Sequence, residues 1–513
     1  MTMHRVLIAL GCALTAVLTT AWSPAPPAPP APDAATVVRT HHGLVRGVHR
    51  DGYRTFAGIP YAAPPVGILR WAPPAPAAAW SGTRDATRPA SSCPQAAGEV
   101  PAGSTDEDCL HLNVTTPDGG GTAHPRPVVV WLHGGGFTTG RGSSYDAHRM
   151  AVRGDVVVVT VNYRLGALGF LAHSRLAGSG TFGLADQQAA LRWVRAEIGA
   201  FGGDAHNVTL AGESAGGYSV CAQLTSPAAA GLFDRAIVQS GPCTGRPERP
   251  FAPSSVPLPA ARAAGADFAA KAGCGSAHDV LTCLRHVKVS RLLAAQSADQ
   301  QPANGTPLLP GDPAVAIADG HFHRVPVLIG HTRDEGNGWA AGIIQAGHAV
   351  TPETWPDVVS SFFPPGQARA IVREYPVHRT DGGPVFGAVI GDADFACPTA
   401  RTGRLLAARV PVWRYEFADE HAPPPFPLGA PHASELPYLF DLGGRPRDLT
   451  AAQHRLADTM IDYWTRFARG ADPNGPSSPH WPRRAVLSLA PDRIIATRTT
   501  PLRHHCAFWN GLG

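Results

Sequence analysis

The chain has 513 residues, of which 44% are hydrophobic and 16% charged, with a formal net charge of +4. The apolar share excludes a disordered chain, and a near-neutral balance over this length excludes a polyanion-binding protein. Length alone allows two or three domains, but the motifs below are spread along one strand-and-helix pattern.

Arg5 precedes an apolar run from Val6 to Leu18, and small residues follow at Thr19 to Ala21. The run is too short to span a bilayer and reads as a secretory signal over residues 1–22. A Pro/Ala-rich tether over 23–35 and a single catalytic domain over 36–513 complete the expected layout, and the protein is expected to be exported. No later run is long and apolar enough for stable membrane insertion. Removing the signal takes Cys12 from the nine cysteines and leaves an even set, which in an exported protein points to disulfides. Spacing alone does not fix their pairing. No C-x-x-C or H-E-x-x-H pattern occurs, so no metal site is expected.

Val37 to Val48 alternates around Gly43 and reads as a hairpin. Phe56 to Pro65 is rich in proline and reads as an ordered surface segment rather than a central strand. Glu107 to Val114 alternates like a strand. Val128 to Leu132 is a buried strand ending in His133-Gly134-Gly135-Gly136-Phe137. Three successive glycines let backbone N–H groups turn towards one point, where a negative oxygen could develop. The glycine spacing from Gly135 to Gly140 also suggests a phosphate loop, but Arg141-Gly142 stands where Lys-Ser/Thr is required.

Val156 to Val161 is another apolar strand, and Leu184 to Phe201 has helical spacing. Asn207 to Ala211 is a short β-branched strand, followed by Gly212-Glu213-Ser214-Ala215-Gly216 and then a helix through Leu224. Strand, G-x-S-x-G and helix in that order make a nucleophile elbow, with near-absent side chains flanking the serine. Ala236 to Gln239 is the next strand, ending in Ser240. Residues 245–320 and 339–410 read as helical insertions. Val325 to Gly330 is a strand with Asp334 and Glu335 just past its end. Val412 to Phe417 is expected as the last strong strand, and Met460 to Phe467 as a closing amphipathic helix. Apolar strands alternating with helices predict an α/β fold with a mostly parallel sheet covered on both faces.

A serine needs a base, and the base needs an acid to orient it. With the chain order Ser, acid, His, the candidates are Ser214, Glu335 and His432. His432 is favoured among the later histidines because it lies in a loop shortly after a strand. Order does not separate Glu335 from Asp334.

These stretches, together with Asn162 to Phe170, Phe201 to Asp204, Gln239 to Gly241, Thr332 to Gly336 and His432 to Phe440, resemble the type-B carboxylesterase/lipase family. The likeness runs from about Val37 to Trp509. It implies an α/β-hydrolase fold and a small-molecule ester substrate, with no cofactor and no nucleic-acid partner. It implies Ser214 as nucleophile, Glu335 as acid, His432 as base, and the N–H groups of Gly135, Gly136 and Ala215 as oxyanion donors. It also implies that Glu213, Ser240 and Glu435 form a buried supporting network, and that Arg70–Glu107 and Arg164–Asp186 are ion pairs. Its disulfides map to Cys93–Cys109, Cys274–Cys283 and Cys397–Cys506. Cys221 and Cys243 remain, one on the elbow helix and one past the neighbouring strand, and are expected to pair. The segment from Cys93 to Cys109 holds no tryptophan, which argues against choline-ester specificity. An interfacial lipase and a non-catalytic binding protein are the competing readings.

Overall fold

A computed structural model describes residues 33–119, 124–245, 254–297, 300–423, 428–497 and 503–512. The expected signal segment, and the tether up to residue 32, lie outside the described residues.

The strands of the main sheet are β1 (Asp33–Thr40), β2 (Gly43–Arg50), β3 (Tyr53–Pro60), β4 (Thr83–Asp85), β5 (His111–Pro117), β6 (Arg126–Leu132), β7 (Val157–Val161), β8 (Gly203–Glu213), β9 (Arg235–Gln239), β10 (Val327–Thr332), β11 (Val412–Phe417), β12 (Val486–Ala490) and β13 (Arg493–Thr497). They form one sheet in the order β1-β2-β3-β5-β7-β6-β8-β9-β10-β11-β12-β13, with β4 beside β2. From β7 to β12 every pairing is parallel, and antiparallel ribbons flank this centre.

The parallel strands are apolar on both faces because both faces are covered. In β6, Val128, Val130 and Leu132 enter one core, while Val129 and Trp131 enter the other. Helices α1 (Phe182–Glu197) and α2 (Ala215–Thr225) fill the first face. The two insertions supply α3 (Leu258–Lys271), then α4 (Asn337–Gln345), α5 (Gly383–Gly391) and α6 (Cys397–Ala407). The second insertion closes a separate small core around Trp355, Phe386 and Ile390, joined by Trp509. Helix α7 (Ala451–Gly470) covers the second face through Leu456, Met460, Trp464 and Phe467, and a Thr450/Gln453 capping box starts it.

Three expectations need correction. The segment from Phe56 is not a surface stretch: Tyr53–Pro60 is a strand within the sheet, with Phe56 and Ile59 fully buried. Its prolines fall at the last residue and beyond, so they end the strand without interrupting it. Val412–Phe417 is not the last strand, because β12 continues the parallel centre. The helix around Met460 does not close the chain, since β12, β13 and the helix α8 (Cys506–Gly511) follow. In addition, β1 begins at Asp33, within the expected tether, and the strand near Glu107 begins only at His111.

All four expected disulfides are present: Cys93–Cys109, Cys221–Cys243, Cys274–Cys283 and Cys397–Cys506. Arg70 meets Glu107 at 2.7 Å through Nε. Arg164 grips Asp186 with two bonds of 2.7 Å, and both side chains are buried. No helix among the described residues is long and apolar enough to cross a membrane.

Burial pushes the Asp186 carboxyl up even with Arg164 beside it. Removing the guanidinium therefore strands a charge in the core. Arg164→Ala is expected to cost about 3–5 kcal/mol in equilibrium urea unfolding; a loss under about 1 kcal/mol would mean that the pair behaves like an exposed one.

Candidate active site

Strand β8 runs into Ser214, whose φ of 54° and ψ of −121° place a non-glycine residue in strained backbone. The turn is held by Ser214 N–H donating to Gln239 O at 2.9 Å and Tyr218 N–H to Ser214 O at 2.9 Å. The flanking glycines are required by close approach. A Cβ on Gly216 would lie 2.0 Å from Leu132 O, and one on Gly212 would lie 2.5 Å from the Gly216 carbonyl carbon.

The glycine run lies against this elbow. A Cβ on Gly134 would meet Glu213 Oε2 at 2.7 Å and Ser214 Cβ at 3.0 Å. Gly135 (φ 96°) and Gly136 (φ 59°) need left-handed backbone. The Gly135 carbonyl is fixed by the N–H groups of Thr138 and Thr139, each at 3.0 Å. Among the described residues, the Gly135 and Gly136 amides donate to no protein acceptor. Ala215 opens helix α2, so its N–H also lacks an intrahelical partner. His133 anchors the run from below. It stacks on Tyr163 at 4.5 Å, and Tyr163 Oη–H donates to His133 O at 2.8 Å. Burial lowers the His133 pKa to about 4, so the ring is neutral at pH 7.

Glu335 follows the end of β10 and is fully buried. Its Oε1 accepts from Thr332 N–H at 2.9 Å and its Oε2 from His432 Nδ1–H at 2.6 Å. Asp334 turns elsewhere: it pairs with Arg333 at 2.8 Å and accepts from Ala430 N–H at 2.9 Å. The ambiguity between the two acids is thereby resolved in favour of Glu335 as the partner of His432.

With Nδ1 committed to Glu335, Nε2 is the free nitrogen of His432. It lies 3.2 Å from Glu213 Oε1 and makes no hydrogen bond, so no bond joins it to Ser214 Oγ. The structure thus unites Glu335 with His432 directly. It brings His432 to the elbow through Glu213, the residue preceding Ser214. A serine–imidazole bond that forms only in the substrate complex is common among hydrolytic sites.

Glu435 accepts from Gln239 Nε2–H at 3.0 Å, and Gln239 in turn accepts from Trp464 Nε1–H at 2.8 Å. Ser240, at φ 47°, donates its N–H to Gly330 O at 2.9 Å. Trp339 and Phe395, both from the second insertion, hold their rings 4.9 and 5.0 Å from the His432 ring. Neither aromatic carries a sequence pattern that would have marked it; each is visible only where the insertion folds back over the sheet.

Three buried carboxylates surround one imidazole. Burial opposes charge on His432, but Glu213, Glu335 and Glu435 outweigh it and lift its pKa to about 9. Burial would likewise raise Glu335, yet the His432 charge and hydrogen bond hold it below the ordinary value. Glu213 is raised, chiefly by burial and also by Glu435 and Glu335.

A raised His432 contributes stability that is complete below its unfolded pKa of about 6.5. That stability is lost as pH rises through about 9. Glu213 is the largest charge raising His432, so Glu213→Gln is expected to lower the His432 pKa. Nitrogen-15 NMR of the ring across pH 5–10 measures this; an unmoved titration would show that Glu213 does not act on the imidazole.

The carboxylesterase family profile matches residues 34–509. The chain is 34% identical over 494 residues to an acylcarnitine hydrolase of Mus musculus, covering 88% of this chain and 86% of the relative. It is 36% identical over 460 residues to a para-nitrobenzyl esterase of Bacillus subtilis, covering 87% and 92%. It is 33% identical over 500 residues to a cocaine esterase of Homo sapiens, covering 88% and 86%. With its α/β-hydrolase sheet and a serine elbow beside a glycine run, the chain belongs to the carboxylesterase family and is a serine carboxylic-ester hydrolase.

Proposed function

We propose that Ser214, His432 and Glu335 are the catalytic triad of an exported esterase that works through an acyl-enzyme. The observation that carries the reading is the 2.6 Å contact between His432 Nδ1 and the buried Glu335, which leaves Nε2 free beside the elbow. Nε2 takes the Ser214 proton as Oγ attacks the ester carbonyl. The resulting oxyanion faces the N–H groups of Gly135, Gly136 and Ala215. Each such donor lowers the barrier by roughly 3 kcal/mol if it behaves like comparable oxyanion donors. His432 then protonates the leaving alcohol, and water repeats the sequence to release the acid. Glu213, Ser240 and Glu435 surround the triad with buried polar groups, and Glu213 stabilises positive charge on the imidazole.

The substrate class is small carboxylic esters. The relatives' names span acylcarnitine, pyrethroid, para-nitrobenzyl and cocaine substrates, which supports tolerance of varied alcohols rather than one dedicated ester. Export is supported by the basic and apolar N-terminus and by four disulfides.

Ser214→Ala is expected to lower kcat on p-nitrophenyl acetate by about 10^5–10^6-fold and to abolish labelling by a fluorophosphonate probe. Glu335→Gln is expected to cost about 10^4-fold with the fold retained. A folded wild type that takes no label and leaves the ester intact would favour a non-catalytic binding protein. Faster turnover of emulsified long-chain than of short-chain esters would favour a lipase. Because the base must be neutral, kcat/KM is expected to rise with pH towards about 9 in the wild type. Glu213→Gln should move that acid limb to lower pH; an unchanged limb would remove Glu213 from this role.

A further inference from the structure

The C-terminal segment carries chemistry that ester hydrolysis does not use. His504 is buried where it meets two strands of the sheet. Its Nε2 lies 2.9 Å from Glu416 Oε2, and its Nδ1 lies 2.5 Å from Asp392 Oδ1. Glu416 on β11 is the register partner of His331 on β10, and both are buried. His331, Glu416 and His504 each present a donor atom, all within 4.8 Å of one another.

We propose that His331, Glu416 and His504 form a binding site for a borderline divalent metal ion, zinc by preference. Two imidazoles and one carboxylate are a donor set for such an ion. The surrounding bonds fit it. A metal-bound imidazole gives its other N–H to a carboxylate or carbonyl, which fixes the ring and leaves the second nitrogen for the metal. His504 Nδ1 has Asp392, and His331 Nδ1 donates to Thr332 O at 2.9 Å. Each therefore keeps Nε2 as its ligand atom. Arg503 takes the other Glu416 oxygen, Oε1, at 2.8 Å and leaves Oε2 towards His504.

Without metal, His504 bridges Asp392 and Glu416 as a doubly donating imidazolium. Metal binding replaces the Nε2 proton, which passes to solvent, and draws the donors to about 2.0–2.2 Å from the ion. The ion would join β10, β11 and the C-terminal segment. That segment is already tied to α6 by Cys397–Cys506. The site is built from residues outside the proposed triad.

The test uses the full chain after dialysis against a chelator. Isothermal titration with zinc chloride is expected to show one ion per chain with Kd at or below the micromolar range. Cobalt(II) is expected to give the visible absorption of a four-coordinate site. His331→Gln and Glu416→Gln should weaken zinc at least tenfold, and Asp392→Asn about 10–100-fold, while the exposed His480→Gln leaves it unchanged. Absence of stoichiometric binding, or binding indifferent to His331→Gln, overturns the proposal in favour of a proton-held clasp. If the variants fail to fold, X-ray absorption of the zinc-loaded wild type decides. Two imidazole nitrogens and a carboxylate oxygen, with water in the fourth position, support the site, and a coordination sphere lacking those three protein donors overturns it.

Discussion

Gly216 passes so close to strand β6 that a methyl group on it would sit 2.0 Å from the Leu132 carbonyl oxygen. This contact lets helix α2 leave the sheet immediately after β8 and holds Ser214 at the bend in strained backbone. The same closeness brings the glycine run beyond β6 against Glu213 and Ser214. Two strand ends that are neighbours in the sheet thus deliver a serine hydroxyl and free backbone amides to one place. Widening the turn by one side chain would separate them.

Around that turn the protein concentrates charge that burial disfavours. Glu213, Glu335 and Glu435 all lie in the interior, and one imidazole serves all three. The arrangement is tolerable because each acid has a different balance. Glu335 has two donors and stays charged. Glu435 has one donor, Gln239, and is raised to about 7 by burial and by Glu335. Glu213 shares the vicinity of Nε2. The environment therefore separates three chemically identical side chains into different protonation behaviour, which is how a buried site sets acid and base roles.

The second insertion connects this site to the rest of the chain. A π-helical turn, Asp392–Ala396, carries Phe395 onto the imidazole at one end. At the other it offers Asp392 to His504, His505 and Tyr375. The C-terminal segment and the roof over His432 are thus parts of one packed unit, anchored by Trp509 in the insertion's own core.

The sequence by itself determined what local chemistry can specify. Apolar strands such as Val128–Leu132 and Val157–Val161, the G-x-S-x-G turn after β8 and the glycine run are legible because each rests on residues adjacent in the chain. Three of the cysteine pairs became legible through resemblance rather than spacing, while chain order named the acid and base candidates and the resemblance selected among them. Chain order left Asp334 and Glu335 equivalent; the tertiary structure supplies the physical reason for Glu335, because adjacent side chains at a strand end point to different neighbours. It alone revealed Trp339 and Phe395 beside His432 and gathered His331, Glu416 and His504. It also showed that the proline-rich stretch from Phe56 begins as a strand within the sheet, where pairing with β5 and burial of Phe56 and Ile59 outweigh local composition. Periodicity reports which face of an element is buried; it does not report which distant residue is buried against it.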